Sequence, residues 1–486
     1  MSRKIVALYM VLAMLLGASG TYLGIQLLDD DKEVTLIQQP ESTTNNEDDT
    51  DQEELSNEFK KLNQAYNFIS SNYVEEVDQK KLIEGAIQGM VSTLEDPYSA
   101  YMDKETAEQF NDSLESSFEG IGAEVSMVEG KVTIVAPFKD SPAEKAGLKP
   151  NDQIIKIDDK SIEGLDLYEA VLKIRGEKGT VVNLDVMRPG VSEVMKVKVT
   201  RDTIPIETVY TSMKDYKGKK VGYIEITSFA EQTADDFIKS LSELEDKKME
   251  GLVIDVRGNP GGLLESVEDI LKQFITKDKP YVQIENREGE KQRFFSSLEN
   301  KKNYPIVVLT DGGSASASEI LAGAMSEAGA YDIVGEKTFG KGTVQQAKNM
   351  GDGSNLKLTM FKWLTPDGNW IHKKGIEPSV EVKQPEYFYA NPIQFEKELA
   401  LNMNNEHIKN AQIMLKGLGF KPGRDDGYFS EETEVAVKAF QKANKLSETG
   451  KIDEKTASLI ESKIIETIRD EKNDEQLKTA MKVLFE

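Results

Sequence analysis

Hydrophobic and polar positions change rhythm along the chain, and each change marks a boundary. Arg3 and Lys4 precede an uncharged, largely apolar run from Ile5 to Leu28, closed by Asp29, Asp30 and Asp31. A bilayer span takes about 20 such residues, and the basic flank stays cytoplasmic, so residues 1–28 read as a membrane anchor with the bulk outside. The small residues Ala18 and Gly20 leave a cleaved signal peptide as the alternative. Residues 29–55 are acidic and rich in Ser, Thr, Asn and Gln, the composition of a solvated linker. Over residues 56–112, Phe59, Leu62, Tyr66, Phe68 and Ile69, then Leu82, Ile83, Ile87 and Met90, recur at helical spacing and predict amphipathic helices.

Residues 113–200 turn β-rich. "FEGIGAEV" and the alternating "KVTIVAPF" lead into "DSPAEKAGL", where Asp140 or Ser141 before Pro142 starts a short helix and Gly147 stops it. A helical "LYEAVLKIRG" and a closing strand "VVNLDVMR" follow. This ordered set resembles a PDZ domain. The resemblance implies that the loop Gly120, Ile121, Gly122 offers backbone N–H groups to a peptide carboxylate. The strand from Ala123 would then take the peptide as an added strand.

Over residues 201–385 strands alternate with helices: "KVGYIEITSF" and "GLVIDVRG" read as strands, "TADDFIKSLSELEDK" and "LLESVEDILKQFI" as helices, and "PIVVLT" as a buried strand. Residues 400–465 carry three short helical segments separated by Gly-rich turns, and 466–486 predict a C-terminal helix. The order "LGF", "DGYFS", "TEVAVKAFQ", "TGKID" resembles the small helical peptidoglycan-binding domain, a module that also serves packing or dimerisation. The expected fold class is a multidomain α+β chain. Its parts are N-terminal helices, a PDZ β-sandwich or barrel, an α/β core and a small all-α C-terminal domain.

Composition narrows the chemistry. The 486 residues carry a net charge of −25, which argues against nucleic acid as a partner. There is no cysteine, so thiol nucleophiles and disulfides are excluded, and His372 and His407 are the sole histidines. Both read as structural or surface residues. No metal and no cofactor is called for.

What remains for peptide hydrolysis is a hydroxyl with a lysine base, or paired carboxylates. Lysine acts as a base only when neutral, which requires burial away from a carboxylate. Lys341, among Phe339, Gly340 and Gly342 in "TFGKGTVQ", fits that description or is an exposed turn lysine. Lys337, beside Glu336, stays charged. In "GGSASASE" the serines 314, 316 and 318 alternate, and Ser316 with Glu319 forms the S-x-x-E pattern of a helix capping box. A hydroxyl at a helix N-terminus sits in the positive end of the dipole, which favours loss of its proton. Ser314 reads as a turn residue and Ser318 as a first-turn residue able to support its neighbours.

"DVRGNPGG", then "GSASASEILAGAM", then "GEKTFGKGTVQ", all after a PDZ-like unit, resemble the carboxyl-terminal processing (tail-specific) protease family. The resemblance implies an endopeptidase with Ser316 as nucleophile and Lys341 as general base. Gln345 would orient the amine, and Glu319 would have a supporting role. The N–H of Ala317 and that of Gly261 or Gly262 are candidates for the oxyanion. Lys341 and Gln345 lie four residues apart, so a turn beginning at Lys341 is expected. Arg175, at the end of the PDZ helix, is the candidate to couple peptide occupancy to the protease. The reading is an extracytoplasmic serine endopeptidase that takes protein substrates by an apolar C-terminal tail. It touches the membrane through residues 5–28, and peptidoglycan and a second copy of the chain remain open as partners. The alternatives are a non-catalytic envelope scaffold and a crotonase-like acyl-transfer enzyme.

Overall fold

The structure is a computed structural model that describes residues 49–486 apart from 115–116, 129, 139–140, 166, 190, 192 and 394–396. The apolar run at residues 5–28 and most of the acidic linker lie outside the described residues, and no helix among the described residues is long and apolar enough to cross a membrane. The chain divides into a short unit ending at Ile83 and a large one beginning at Glu84. The amphipathic pattern of the N-terminal region forms helices Asp49–Asn72, Gln79–Ser92 and Lys104–Leu114. In the first two of these helices Phe59, Leu62, Phe68, Ile69, Ile83 and Met90 are exposed, whereas Ala107 of the third is buried.

The next unit is a sheet in which Ala123–Val128 pairs with Lys131–Pro137, then Gln153–Ile157, Val181–Met187 and Met195–Thr200 follow in order. The sheet wraps a core of Ile134, Ile154, Leu184 and Val182, with helix Leu167–Ile174 against it. Ala123–Val128 is the edge strand, with one side open to an added strand. A two-stranded ribbon, Ser117–Gly120 with Asp202–Pro205, joins entry to exit.

The largest core belongs to a six-stranded sheet. Lys219–Ile226, Gly251–Asp255, Ile306–Thr310, Asp332–Gly335 and Val380–Glu381 run parallel to their neighbours, and Val209–Tyr216 adds antiparallel at the edge. Every residue of Gly251–Asp255 and of Ile306–Thr310 is buried, as a parallel sheet covered on both faces requires. Side chains alternate between those faces. Leu252, Ile254 and Val308 pack with helices Thr233–Asp246, Leu264–Leu271 and Ala317–Glu327. Val253, Val307, Leu309 and Val334 face the other way, onto Leu477, Ala480 and Leu484 of the last helix, Glu475–Val483, and its end. The C-terminal helix is therefore the third layer of the α/β core rather than an appendage. The helices Glu406–Gly417, Glu431–Ala443 and Glu454–Arg469, with their own core around Phe429, Phe440 and Ile460, are an insertion between the last core strand and that layer.

A five-stranded antiparallel sheet built on Asn355–Leu364 lies against the helical side. Trp363, Val282 and Ile284 join the main core, and Thr343–Asn349 forms an edge hairpin with Asn355–Leu364.

Candidate active site

Three neighbouring parallel strands end side by side, and each hands over to a loop that carries one part of the site. Gly251–Asp255 leads into residues 256–263, Ile306–Thr310 into 311–316, and Asp332–Gly335 into 336–342. The crevice at the carboxyl ends of parallel strands is where α/β folds bind ligands.

The structure separates the three serines that alternate in the sequence. Ser314 is fully buried; its hydroxyl donates to the Val256 carbonyl (2.8 Å) and accepts from the Asp311 N–H (3.0 Å). Ser318 is also fully buried and donates to the Asn259 carbonyl (2.9 Å). Both hydroxyls therefore bind the turn and helix start around Ser316 to the neighbouring loop. Ser316 alone of the three is partly exposed. It sits at the N-cap of helix Ala317–Glu327 with φ 54° and ψ −112°, a conformation that costs a non-glycine residue on the order of 1–3 kcal/mol and persists only where surrounding contacts enforce it.

Those contacts converge on Glu319, whose carboxylate is completely buried. It accepts from the N–H of Ser316 (2.9 Å), the N–H of Lys341 (2.8 Å), the N–H of Gly340 (2.7 Å) and the Thr338 hydroxyl (2.6 Å). A buried carboxylate is tolerable when donors saturate it, and here one carboxylate fixes the backbone of both Ser316 and Lys341. The capping box foreseen in the sequence is thus a bridge between two loops.

Lys341 makes no ion pair among the described residues. Burial pushes its amine below the usual lysine range, and Lys357 adds to this against the opposing pull of Glu319 and Asp96. Its carbonyl accepts from the Trp363 indole (2.8 Å), and that of Gly342 from the Trp370 indole (2.7 Å). Lys337 is an exposed partner of Glu377 at 2.7 Å.

Gly261 is pressed against Ser316: a Cβ placed there would lie 2.8 Å from the Ser316 Cβ and 3.0 Å from the Ala317 nitrogen. The N–H of Gly261 donates to the Asn259 side chain (2.8 Å), whose amide in turn donates to the Ile226 carbonyl (2.8 Å). That leaves the N–H groups of Ala317 and Gly262 without a hydrogen bond among the described residues.

These three loops coincide with the match to the model of peptidase family S41, which covers residues 220–382; a PDZ domain model matches 120–199, a peptidoglycan binding domain model 404–460, and the N-terminal domain model of the activating protease CtpB 14–106. The carboxy-terminal processing protease CtpB of Bacillus subtilis is 58% identical over the whole length of both chains. The chain belongs to this family of serine carboxy-terminal processing proteases. CtpA of Bacillus subtilis is 45% identical over 88% of this chain and 90% of its own. A solved photosystem II D1 C-terminal processing protease aligns with 66% of this chain and 92% of its own at 26% identity, with a TM-score of 0.41. Family membership sets aside the scaffold and crotonase-like alternatives.

Within the protease, one expectation about the site is not met. The segment from Lys341 does not open with a turn: Lys341 and Gly342 are irregular and Thr343–Asn349 is a strand. Its polar backbone groups are claimed by the ladder to Asn355–Leu364, with a bulge between Val344 and Gln345. The Gln345 amide donates to Thr343 (3.0 Å) and Thr359 (3.1 Å) rather than reaching Lys341.

The Gly120–Gly122 loop directly precedes the edge strand of the PDZ unit. Gly122 has φ 71°, and a Cβ there would fall 2.6 Å from the Ser141 Cβ. The carbonyls of Ile121 and Gly122 accept from the N–H groups of Ala143 and Phe138, which turns the N–H groups of the same two peptide planes, those of Gly122 and Ala123, away from those partners. The guanidinium of Arg175 lies 4.7 Å from the centre of the Phe118 ring, and its stem flanks Gly120, so it lies beside the Gly120–Gly122 loop.

Tyr98, His372 and Trp370 were not foreseen as site residues. His372 stacks on Trp370 at 5.2 Å between ring centres and meets Tyr98 edge-on at 6.2 Å, and its backbone lies against Gly342. Burial and Lys373 lower its affinity for a proton. The adjacency of Tyr98 depends on a pairing some 250 residues away, between Ala100–Met102 and Asn355–Lys357, and no local pattern carries it.

Proposed function

We propose that the protease is an extracytoplasmic endopeptidase in which Ser316 and Lys341 form the catalytic dyad. The observation that carries this reading is the single buried carboxylate of Glu319 holding the backbones of a partly exposed, strained serine and of a lysine without an ion pair. Neutral Lys341 takes the Ser316 proton, the oxygen attacks the scissile carbonyl, and the N–H groups of Ala317 and Gly262 receive the developing oxyanion, a contribution of about 3 kcal/mol per donor. The lysine returns the proton to the leaving amine, and a water then hydrolyses the acyl-enzyme by the same exchange. Gln345 donates to Thr359, whose N–H donates to Ser99 and Ser99 in turn to Asp96, so it supports the loop that flanks the base rather than the amine itself.

The PDZ unit recognises an apolar C-terminal tail at its glycine loop and open edge strand, with Arg175 relaying occupancy to the site. Peptidoglycan affinity of the inserted helical module and pairing of two chains through the exposed apolar faces of the N-terminal helices complete the reading, together with anchoring through residues 5–28. Purified full chain should cleave an unfolded protein with an apolar tail. Ser316→Ala and Lys341→Ala should each lower kcat by at least a thousandfold, and full activity in either refutes the dyad. Arg175→Ala with unchanged stimulation by tail peptides refutes the relay.

A further inference from the structure

The amine of Lys341 lies over the face of Tyr98, 5.0 Å from the ring centre. An ammonium within about 6 Å of an aromatic face is attracted by the ring quadrupole, whereas a neutral amine is not. Tyr98 is itself firmly seated. The Asp96 carboxylate accepts from the Tyr98 N–H (3.1 Å) and from the Ser99 hydroxyl (2.6 Å), and Ser99 accepts from the Thr359 N–H (3.0 Å) on the strand that also receives Gln345. His372 abuts the ring edge, backed by Trp370. Resting on the dyad reading, we propose that Tyr98 is a positioning residue: its ring is the seat that holds the protonated Lys341 amine between turnovers and sets the balance between its charged and neutral forms.

The charged and titratable groups around the amine come from every neighbouring element. They are Glu319 from the nucleophile helix, Lys357 from the long strand and Asp96 from the Tyr98 loop itself, while His372, on which Lys373 acts, meets the Tyr98 ring from the loop that packs on Gly342. Burial and Lys357 favour the neutral base; Tyr98, Glu319 and Asp96 favour the ammonium. Removing the ring face while keeping its bulk therefore shifts the balance toward the neutral base.

The experiment is the pH profile of kcat/KM for the full chain and its variants. Tyr98→Leu should move the acidic limb down by about half a pH unit, the size of a modest cation–π contribution. Tyr98→Phe, which keeps the face, should leave the limb in place. If Tyr98→Leu does not fold, pentafluorophenylalanine at position 98 keeps the shape and removes the attraction, and the same displacement is expected. A limb that stays put in both overturns the proposal, as does a displacement lost in a His372→Gln background, which would assign the limb to the imidazole. Activity persisting in Lys341→Ala refutes the dyad itself; an inactive Lys341→Ala with an unmoved Tyr98→Leu limb refutes only the seat.

Discussion

At the scale of the residue, three serines of identical chemistry are distinguished by what each touches. Ser314→Ala should leave the active site chemically complete yet destabilise the fold by about 1–2 kcal/mol, because the Val256 carbonyl loses its buried donor. Denaturant titration checks the stability and a cleavage assay checks the retained turnover. Lys341 carries the cost of its burial. Its proton affinity in the folded state is lowered, so between that value and the ordinary 10.5 the unfolded chain binds more protons and stability rises with pH. Lys341→Met should be inactive but more stable than the parent at neutral pH. The gain should shrink as pH climbs through the folded value toward 10.5. Thermal unfolding between pH 6 and 10.5 follows the difference, and a Met variant less stable at neutral pH contradicts the assignment of a desolvated lysine.

At the scale of the element, the site is a joint between a helix start and a loop, locked by one carboxylate. Glu319→Gln replaces an acceptor that serves four donors with a group that turns an NH2 toward them. It should cost about 2–3 kcal/mol of stability and lower kcat far more than it raises KM, since Ser316 and Lys341 lose their common reference. Steady-state kinetics read the split. The capping box was legible in "SASE", but its second role was not: Gly340 and Lys341 lie more than 20 residues on, and they meet Glu319 only because their strands are neighbours in the sheet. The turn expected at Lys341–Gln345 failed for a related reason. Four-residue spacing is neutral between turn and strand, and the ladder to Asn355–Leu364 decided it.

At the scale of the whole molecule, the last helix is part of the catalytic core. Arg257, the second residue of the loop that carries Gly261, forms paired contacts with Asp255 (2.6 Å) and with Asp474 (2.8 Å) at the start of that helix. Burial opposes its charge, but the two carboxylates outweigh that and hold it protonated. Asp474→Ala leaves a largely buried guanidinium half-paired and should cost about 3 kcal/mol, measured by denaturant titration. Deleting 466–486 uncovers Val253, Val307, Leu309 and Val334 and gives up burial of about 1.5–3 kcal/mol for each of Leu477 and Leu484, so the truncated chain should aggregate. Excising residues 400–465 with a short linker while keeping the last helix should preserve a soluble fold, which size-exclusion chromatography can decide.

The elements themselves were written locally. Continuous apolar runs gave parallel strands, alternating ones the PDZ sheet, and glycines marked the turns, because period and conformational freedom are properties of neighbouring residues. The motif order was likewise enough to place Ser316 and Lys341 in one site. Only the tertiary structure decided that Ser314 and Ser318 are buried, that Glu319 joins two loops, that Tyr98 faces the lysine, and that the last helix closes the core sheet. Each of these depends on groups far apart in the chain that meet across a packed sheet, where burial and the demand of every polar group for a partner, rather than local propensity, settle the arrangement.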